Sequence, residues 1–455
     1  MSPLLEAILI ESSDGIRKRL EKFPIEDQDN LLCLSPLHLA VFRPQHLEVL
    51  LGAGADVDAR DRHGITPLMY ATATGSTKIA IRLLDAGADF SVVDTLWQQN
   101  FLNYARDRGH WKTILDILDY MRQIPNIPKD VLCSWLGFGL FLWVSGNHIN
   151  TDINDPNYFQ QLLDWGADTN GINHYNSETL AHKVENALEL KSLISHGFTN
   201  FNHPDNTGAH ALISLSTARF ENPHPDIIEM LLNGGSTVNH RNHEGQTSLH
   251  VVIQQLRAFH GGYGTEMDWH SQKLSQICTS IRVLLNRKAD PCIGDCCKCY
   301  CSRLGCTPSN VLLKGRHHSF LKPANNIWAF EYLDIVKETS GLETVKACLL
   351  DILRLIKFHD LELTHTCRHA VWRDIEDEEI EEIHREEMEM IEILENEMRT
   401  VERSLGDDFE EQLMIAFSVL LINAKADSRD KSSNLRVQYN AYFQTRGEIS
   451  AKNNF

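Results

Sequence analysis

Asp61-Arg-His-Gly64-Ile-Thr66-Pro67-Leu68-Met-Tyr-Ala71-Thr-Ala-Thr-Gly75, followed by Ile79-Ala-Ile81-Arg-Leu83-Leu84-Asp-Ala-Gly87-Ala88-Asp89, is the stretch on which the fold turns. Thr66 can cap a helix whose first position, Pro67, needs no hydrogen-bond donor and already has helical φ. Leu68 and Ala71 then share one face, and the small Ala71 lets a paired helix approach. Gly75 suits the left-handed turn that ends this helix. Ile79, Leu83 and Leu84 give a second helix an apolar stripe at helical spacing. Gly87 ends that helix, and the residues after it extend as a hairpin finger. One such unit cannot bury its stripe alone, so it must stack on copies of itself.

A copy lies just upstream: Ser35-Pro36-Leu37-His38-Leu39-Ala40, closing with Leu50-Leu51-Gly-Ala-Gly54-Ala55-Asp56. Gly54 and Gly87 are 33 residues apart. The pattern resembles the ankyrin repeat, with its T-P-L-H-x-A opening and L-L-x-x-G-A-D close. That resemblance implies an all-α ankyrin-repeat solenoid of helix-turn-helix units joined by finger hairpins. Weaker copies open at Asn100, Thr179 and Asp205, and others close at Leu162-Leu163-Asp-Trp-Gly166 and Leu231-Leu232. A strong one runs from Asn242 through Thr247-Ser248-Leu249-His250 to Ala289-Asp290, with a glycine-rich insertion near Gly261; a further opening stands at Gly305-Cys306-Thr307-Pro308. The array is expected over 31–315, with about 6–8 repeats behind a helical cap at 1–30. His38 and His250 occupy the histidine slot of the opening, where an imidazole can tie neighbouring loop backbones together.

The chain has 455 residues, and 43 Lys+Arg against 62 Asp+Glu gives a net charge of −19. That balance argues against nucleic acid, which needs a basic face to displace counterions. The N-terminal Met1–Glu11 has no basic segment, and Glu6 interrupts it, so it reads as an amphipathic helix and not as a signal peptide. The longest apolar run, Val131–Val144, has 14 residues and two glycines. A bilayer span needs about 20 residues, so a buried helix is expected there and no membrane is implied. Eleven cysteines in this length are too few for a disulfide framework. A reduced cytoplasmic protein is expected, with the nucleus also open.

Past Lys314 the glycine punctuation fades, and 316–426 reads as a helical region. Leu342–Phe358 is one amphipathic helix, and an acidic helix covers 373–403 with 14 acidic and 4 basic residues. Its Ile380, Ile383, Met390, Leu394 and Val401 recur at alternating three and four spacing, although Glu387 takes one seam position. Either the stripe packs on its own domain, or 375–405 offers a coiled-coil contact to a partner. Phe409–Ala424 reads as another buried helix, and 427–455 as a polar tail.

No nucleophile elbow, phosphate loop or H-E-x-x-H pattern occurs. One cluster carries chemistry: Asp290-Pro-Cys292-Ile-Gly-Asp-Cys296-Cys297-Lys-Cys299-Tyr-Cys301-Ser-Arg-Leu-Gly-Cys306, which enlarges a finger at 292–306. Close-set thiols in a reduced chain favour a soft metal over disulfides. Two readings stand: one structural Zn held by Cys297, Cys299, Cys301 and Cys306, with Cys292 and Cys296 as alternates, or a cysteine-rich loop without metal. The stretch C-x-C-x-C-S-x-x-G-C-T-P within such an array, ahead of an acidic helical end, resembles ankyrin-repeat proteins of filamentous fungi. Some of those are encoded in secondary-metabolite gene clusters, which implies an accessory or regulatory role.

The resulting expectation is a non-enzymatic scaffold that grips protein partners through finger tips and first helices. Its expected contacts are Arg60, Arg62, His63, Tyr70 and Trp97, with His240, Arg241 and His243. The alternative is a metal sensor or metal-dependent enzyme built on Cys292–Cys306; four thiolates would close the coordination sphere, which suits structure more than catalysis.

Overall fold

A computed structural model describes residues 3–10, 12–22, 24–25, 31–125, 127–145, 158–173, 175–216, 224–258, 267–313, 323–366 and 375–404. The helix expected at 409–424, the tail from 427 and the glycine-rich insertion near Gly261 lie outside them. The chain divides into two compact units, Met1–Asn206 with Asn233–Gly235, and Thr207–Leu232 with Ser236–Phe455.

The first unit opens on α1 (Pro3–Ile10) and α2 (Ser13–Leu20), which bury Leu4, Leu5, Ile8 and Ile16 against the helices that follow. Helix pairs then succeed one another: α3 (Pro36–Ala40) with α4 (Pro44–Gly52), α5 (Pro67–Ala73) with α6 (Thr77–Asp85), and α7 (Phe101–Asp107) with α8 (Trp111–Gln123). Next come α9 (Lys129–Ser145) with α10 (Tyr158–Asp164), and a 3₁₀ turn (Leu180–His182) with α11 (Ala187–Ser195). First helices pack on first helices and second on second, as α3, α5 and α7 do on one side and α6 and α8 on the other. Thr66 accepts the Met69 N–H at 3.4 Å as the N-cap of α5, and Pro67 follows it. Gly75 has φ +67°, the left-handed conformation its turn requires. In α6 the buried stripe is Ile79, Ala80 and Leu83, whereas Leu84 is only half-buried. The apolar run at 131–144 is α9, which buries Leu136, Leu140, Phe141 and Leu142. No described helix is long and apolar enough to cross a membrane.

The second unit contains α12 (Ala211–Ser214), most of α13 (Pro225–Asn233), α14 (Ser248–Ala258), α15 (Met267–Asn286), α16 (Pro308–Leu313) and α17 (Pro323–Ser340). The opening at 307–313 thus gains a second helix beyond residue 315. α18 (Leu342–Asp360) packs on α16 as α16 packs on α14, so it stands where the first helix of one more repeat would be. The acidic segment expected as one helix over 373–403 forms two, α19 (Asp377–Glu386) and α20 (Met388–Ser404). They part at Glu387, whose carboxylate receives the Thr364 N–H at 3.0 Å and so cannot continue an apolar seam. Ile391, Leu394 and Met398 of α20 are buried, and α20 lies on α18. Among the described residues no strand forms; Ile172 and Thr179 make one isolated β-bridge.

Candidate functional site

The fingers are built on one device. Asp61 is buried, and its Oδ1 receives the N–H groups of His63 (2.8 Å) and Ile65 (2.9 Å), while its own N–H returns to the Ile65 carbonyl at 3.0 Å. This is a turn closed by an aspartate side chain. Asp94, 33 residues on, does the same with the N–H groups of Leu96, Trp97 and Gln99. Asn242 repeats it with Glu244 and Gln246. The phenols of Tyr70 and Tyr104 donate to Asp61 and Asp94, each at 3.1 Å. Burial, then the Asp61 charge, pushes the Tyr70 phenol up to about 12. Neighbouring fingers are joined by single backbone bonds, Arg62 N–H to Leu32 C=O and Thr95 N–H to His63 C=O, both 2.9 Å.

The histidine slot performs the expected tie. His38 Nδ1 accepts the Ser35 N–H at 3.0 Å, which leaves Nε2 as the donor to the Ile65 carbonyl of the next finger at 2.9 Å. His250 links Thr247 to the Cys306 carbonyl in the same way. At 307–310 an asparagine substitutes: Asn310 Oδ1 accepts the Thr307 N–H, and its amide donates to the Asp351 carbonyl at 3.0 Å.

Within the first unit, Arg60, Arg62 and Trp97 are exposed, and His63 and Tyr70 are half-buried. Trp97, at 73 % exposure, stands on the rim of a cavity of about 650 Å³. Asn103, Phe138, Phe141, Ile172 and Tyr175 line it too. Tyr175 is 68 % exposed, and its hydroxyl donates to the Gln98 carbonyl at 2.7 Å, which joins two finger tips at the rim. Sequence reasoning missed Tyr175 and Ile172. The turn register could have found Tyr175: its N–H donates to Asn173 two residues back, as the Leu96 N–H, next to Trp97, donates to Asp94. In the second unit, His243 and Arg241 are exposed and His240 is half-buried. Arg241 and His240 are already engaged, since Arg241 donates to the carbonyls of Gly245 (3.1 Å) and Gly294 (2.8 Å) and His240 bonds the Gly208 carbonyl (2.7 Å). They hold finger loops together.

The cysteine loop is a finger forced open. Asp295 Oδ1 receives the Cys297 N–H at 2.9 Å, as in other fingers, but its closing partner is the Cys306 N–H at 2.7 Å, eleven residues on instead of four. Gly305, at φ +93°, meets Asp295 so closely that a Cβ would lie 2.1 Å from its carbonyl oxygen, so this crossing requires glycine. The seven extra residues reach the C-terminal helices. Arg354 of α18 donates from Nε to the Tyr300 carbonyl at 2.9 Å and pairs with Glu395 of α20, holding that carboxyl below its usual range. Tyr300 packs edge-on against His384 at 4.5 Å, Lys298 pairs with Asp377 at 2.8 Å, and Arg303 with Glu402 at 3.2 Å.

The thiols fall into groups that differ from sequence adjacency. Ligand atoms of Cys299, Cys301 and His365 all lie within 4.8 Å of one another, and so do those of Asp295, Cys297 and Cys306. Each group takes two of the four thiols expected to share an ion. Cys292 instead shares a thiol hydrogen bond with the free Cys348 of α18, which lowers the Cys292 thiol pKa and raises that of Cys348. Cys296 is exposed, with Sγ 3.9 Å from the His243 carbonyl. His365 carried no signal in the sequence, because it lies more than sixty positions away.

Residues 5–117 match the ankyrin-repeat family in three copies. An ankyrin repeat protein of fowlpox virus is 35% identical over 108 residues, 23% of this chain and 16% of that protein, so the chain spans a small part of its length. Among solved structures, the ankyrin repeat domain of Bcl-3 is 20% identical, with 55% of this chain and 92% of that one covered at TM-score 0.32. The human ASB11 ankyrin repeat domain is 21% identical, with 52% and 99% covered at TM-score 0.37. The family match recognises ankyrin repeats over residues 5–117, and with the successive helix pairs described above the fold is an all-α ankyrin-repeat solenoid.

Proposed function

We propose that the chain is a non-enzymatic scaffold whose partner protein docks across the rim formed by Trp97 and Tyr175. The carrying observation is the cavity of about 650 Å³ between those two finger-tip aromatics, with Phe138 and Phe141 in its wall. Exposed aromatic anchors beside a recess of mixed aromatic and polar lining, here with Arg106 and Asp168, are what protein interfaces use as hot spots. An extended apolar segment of the partner enters the recess, while Arg60 and Arg62 add rim contacts. Affinity capture with the full chain tests this: W97A should lose the captured partner at unchanged Tm, and Y175A should lose it with only the small Tm loss of its bond to Gln98. Retention by both variants would reject the docking face.

The Cys297–Pro308 resemblance supports a finer reading, an accessory or regulatory protein of a filamentous fungus working beside a secondary-metabolite pathway in the cytoplasm. Deleting the gene in its own host and profiling metabolites tests it, and an unchanged profile would reject it. Since the apolar side of α20 is covered by α18, the 375–404 segment would offer a partner its acidic face in place of a coiled-coil seam.

A further inference from the structure

We propose that Cys299, Cys301 and His365 bind one zinc ion, which ties the inserted finger loop to the turn after α18. Cys299 and Cys301 are 2 % and 0 % exposed, yet this stretch of loop has neither helix nor strand to organise it. The turn at Tyr300 nonetheless brings both thiols and the His365 imidazole within 4.8 Å of one another. Cys299 Sγ stands 3.9 Å from His365 Nδ1. Ligands about 2.0–2.3 Å from a tetrahedral zinc stand roughly 3.3–3.8 Å from one another, so the triad needs only a small contraction to close on the ion. The imidazole packs on Phe358 of α18 at 4.6 Å between ring centres, which restricts where it can swing.

Charge also fits. Two thiolates and one neutral imidazole around Zn²⁺ sum to zero, so the ion brings no net charge into a buried place, while the two thiol protons leave to solvent on binding. The triad leaves one tetrahedral position for a ligand outside it. A mixed set of sulfur and nitrogen ligands suits zinc better than calcium or magnesium, which take oxygen. The other group serves less well: Asp295 Oδ1 already carries the two amide bonds that close the loop, and its carboxylate with two thiolates around Zn²⁺ would leave a net charge of −1 in a place where Asp295 and Cys306 are buried. Cys292 is taken by Cys348, and Cys296 points outward.

The test uses the full chain, purified under reducing conditions without chelator, with elemental analysis by mass spectrometry. The expected result is about one zinc per chain, falling at least tenfold in C299S, C301S and H365N and staying unchanged in C296S and C297S. Zinc lost from C297S but kept in C299S would move the ion to the other group and overturn the proposal. A chain with no zinc would overturn it as well. Because a variant can misfold, the metal-free wild-type chain is also titrated with Co²⁺. A thiolate-to-cobalt charge-transfer band with the intense visible bands of tetrahedral cobalt is expected, and their absence would refute the site.

Discussion

His250 Nε2 donates to the Cys306 carbonyl across 2.9 Å, so the first helix of one repeat fixes the returning limb of a finger that is seven residues longer than the Asp61 finger. His38 makes the same bond to Ile65 in an ordinary finger. Replacing His38 by Ala should cost about 1–3 kcal/mol, because the Ser35 N–H and the Ile65 carbonyl lose their partner in a buried place. Asn should cost less, since Asn310 shows that its oxygen reaches the cap N–H. Urea unfolding of both variants checks the order.

The same residue sets a pH dependence. Burial lowers the His38 pKa below its ordinary value. Between the lowered value and the ordinary one, near 6.5, the unfolded chain binds a proton that the folded chain refuses. This contribution is present above about pH 6.5 and is lost as pH falls below it. H38N removes the titrating ring, so its urea midpoint should drop less than the wild type's on acidification. An equal drop would show that other groups dominate.

Core packing gives a sharper contrast. Leu83 is fully buried in α6 and Leu84 is half-buried. L83A should cost about 2–5 kcal/mol, and L84A clearly less. Thermal unfolding of the two variants ranks them, and the reverse order would contradict the orientation of α6.

Tyr70 should ionise late. Its pKa of about 12 arises from burial first and from the Asp61 charge second. Since the folded value lies above the unfolded one, near 10, its contribution is complete below about pH 10 and is lost as pH rises toward the folded value. An absorbance titration of wild type against Y70F isolates the step. D61N should bring it earlier while keeping the finger closed, as Asn242 closes its own.

Much of the fold was legible because local signals agree. Thr66, Pro67 and Gly75 mark the ends of α5, and each does in the structure what its chemistry dictates. Periodicity alone could not separate Leu83 from Leu84, since adjacent residues both fit a broad stripe. Glu387 was visible as a flaw in the acidic seam, but its bond to the Thr364 N–H, 23 residues back, is one that no pattern points to. The candidate sites were less legible still. Arg241 looks like a surface cation until the carbonyls of Gly245 and Gly294 claim it. Sequence proximity grouped the cysteines of 297–306 together, whereas the loop turns Cys299 and Cys301 toward His365 and leaves Cys297 and Cys306 beside Asp295.

A stacked array peels from its ends, because a terminal repeat has one neighbour instead of two. In the second unit that end is buckled. The long finger spans from Asp295 to Cys306, and Lys298, Tyr300 and Arg303 within it are held by Asp377, Arg354 and Glu402. The exposed pairs are each worth little alone. Because these ties come from α18, α19 and α20 in turn, the long finger can leave its place only after contacts to three helices are broken.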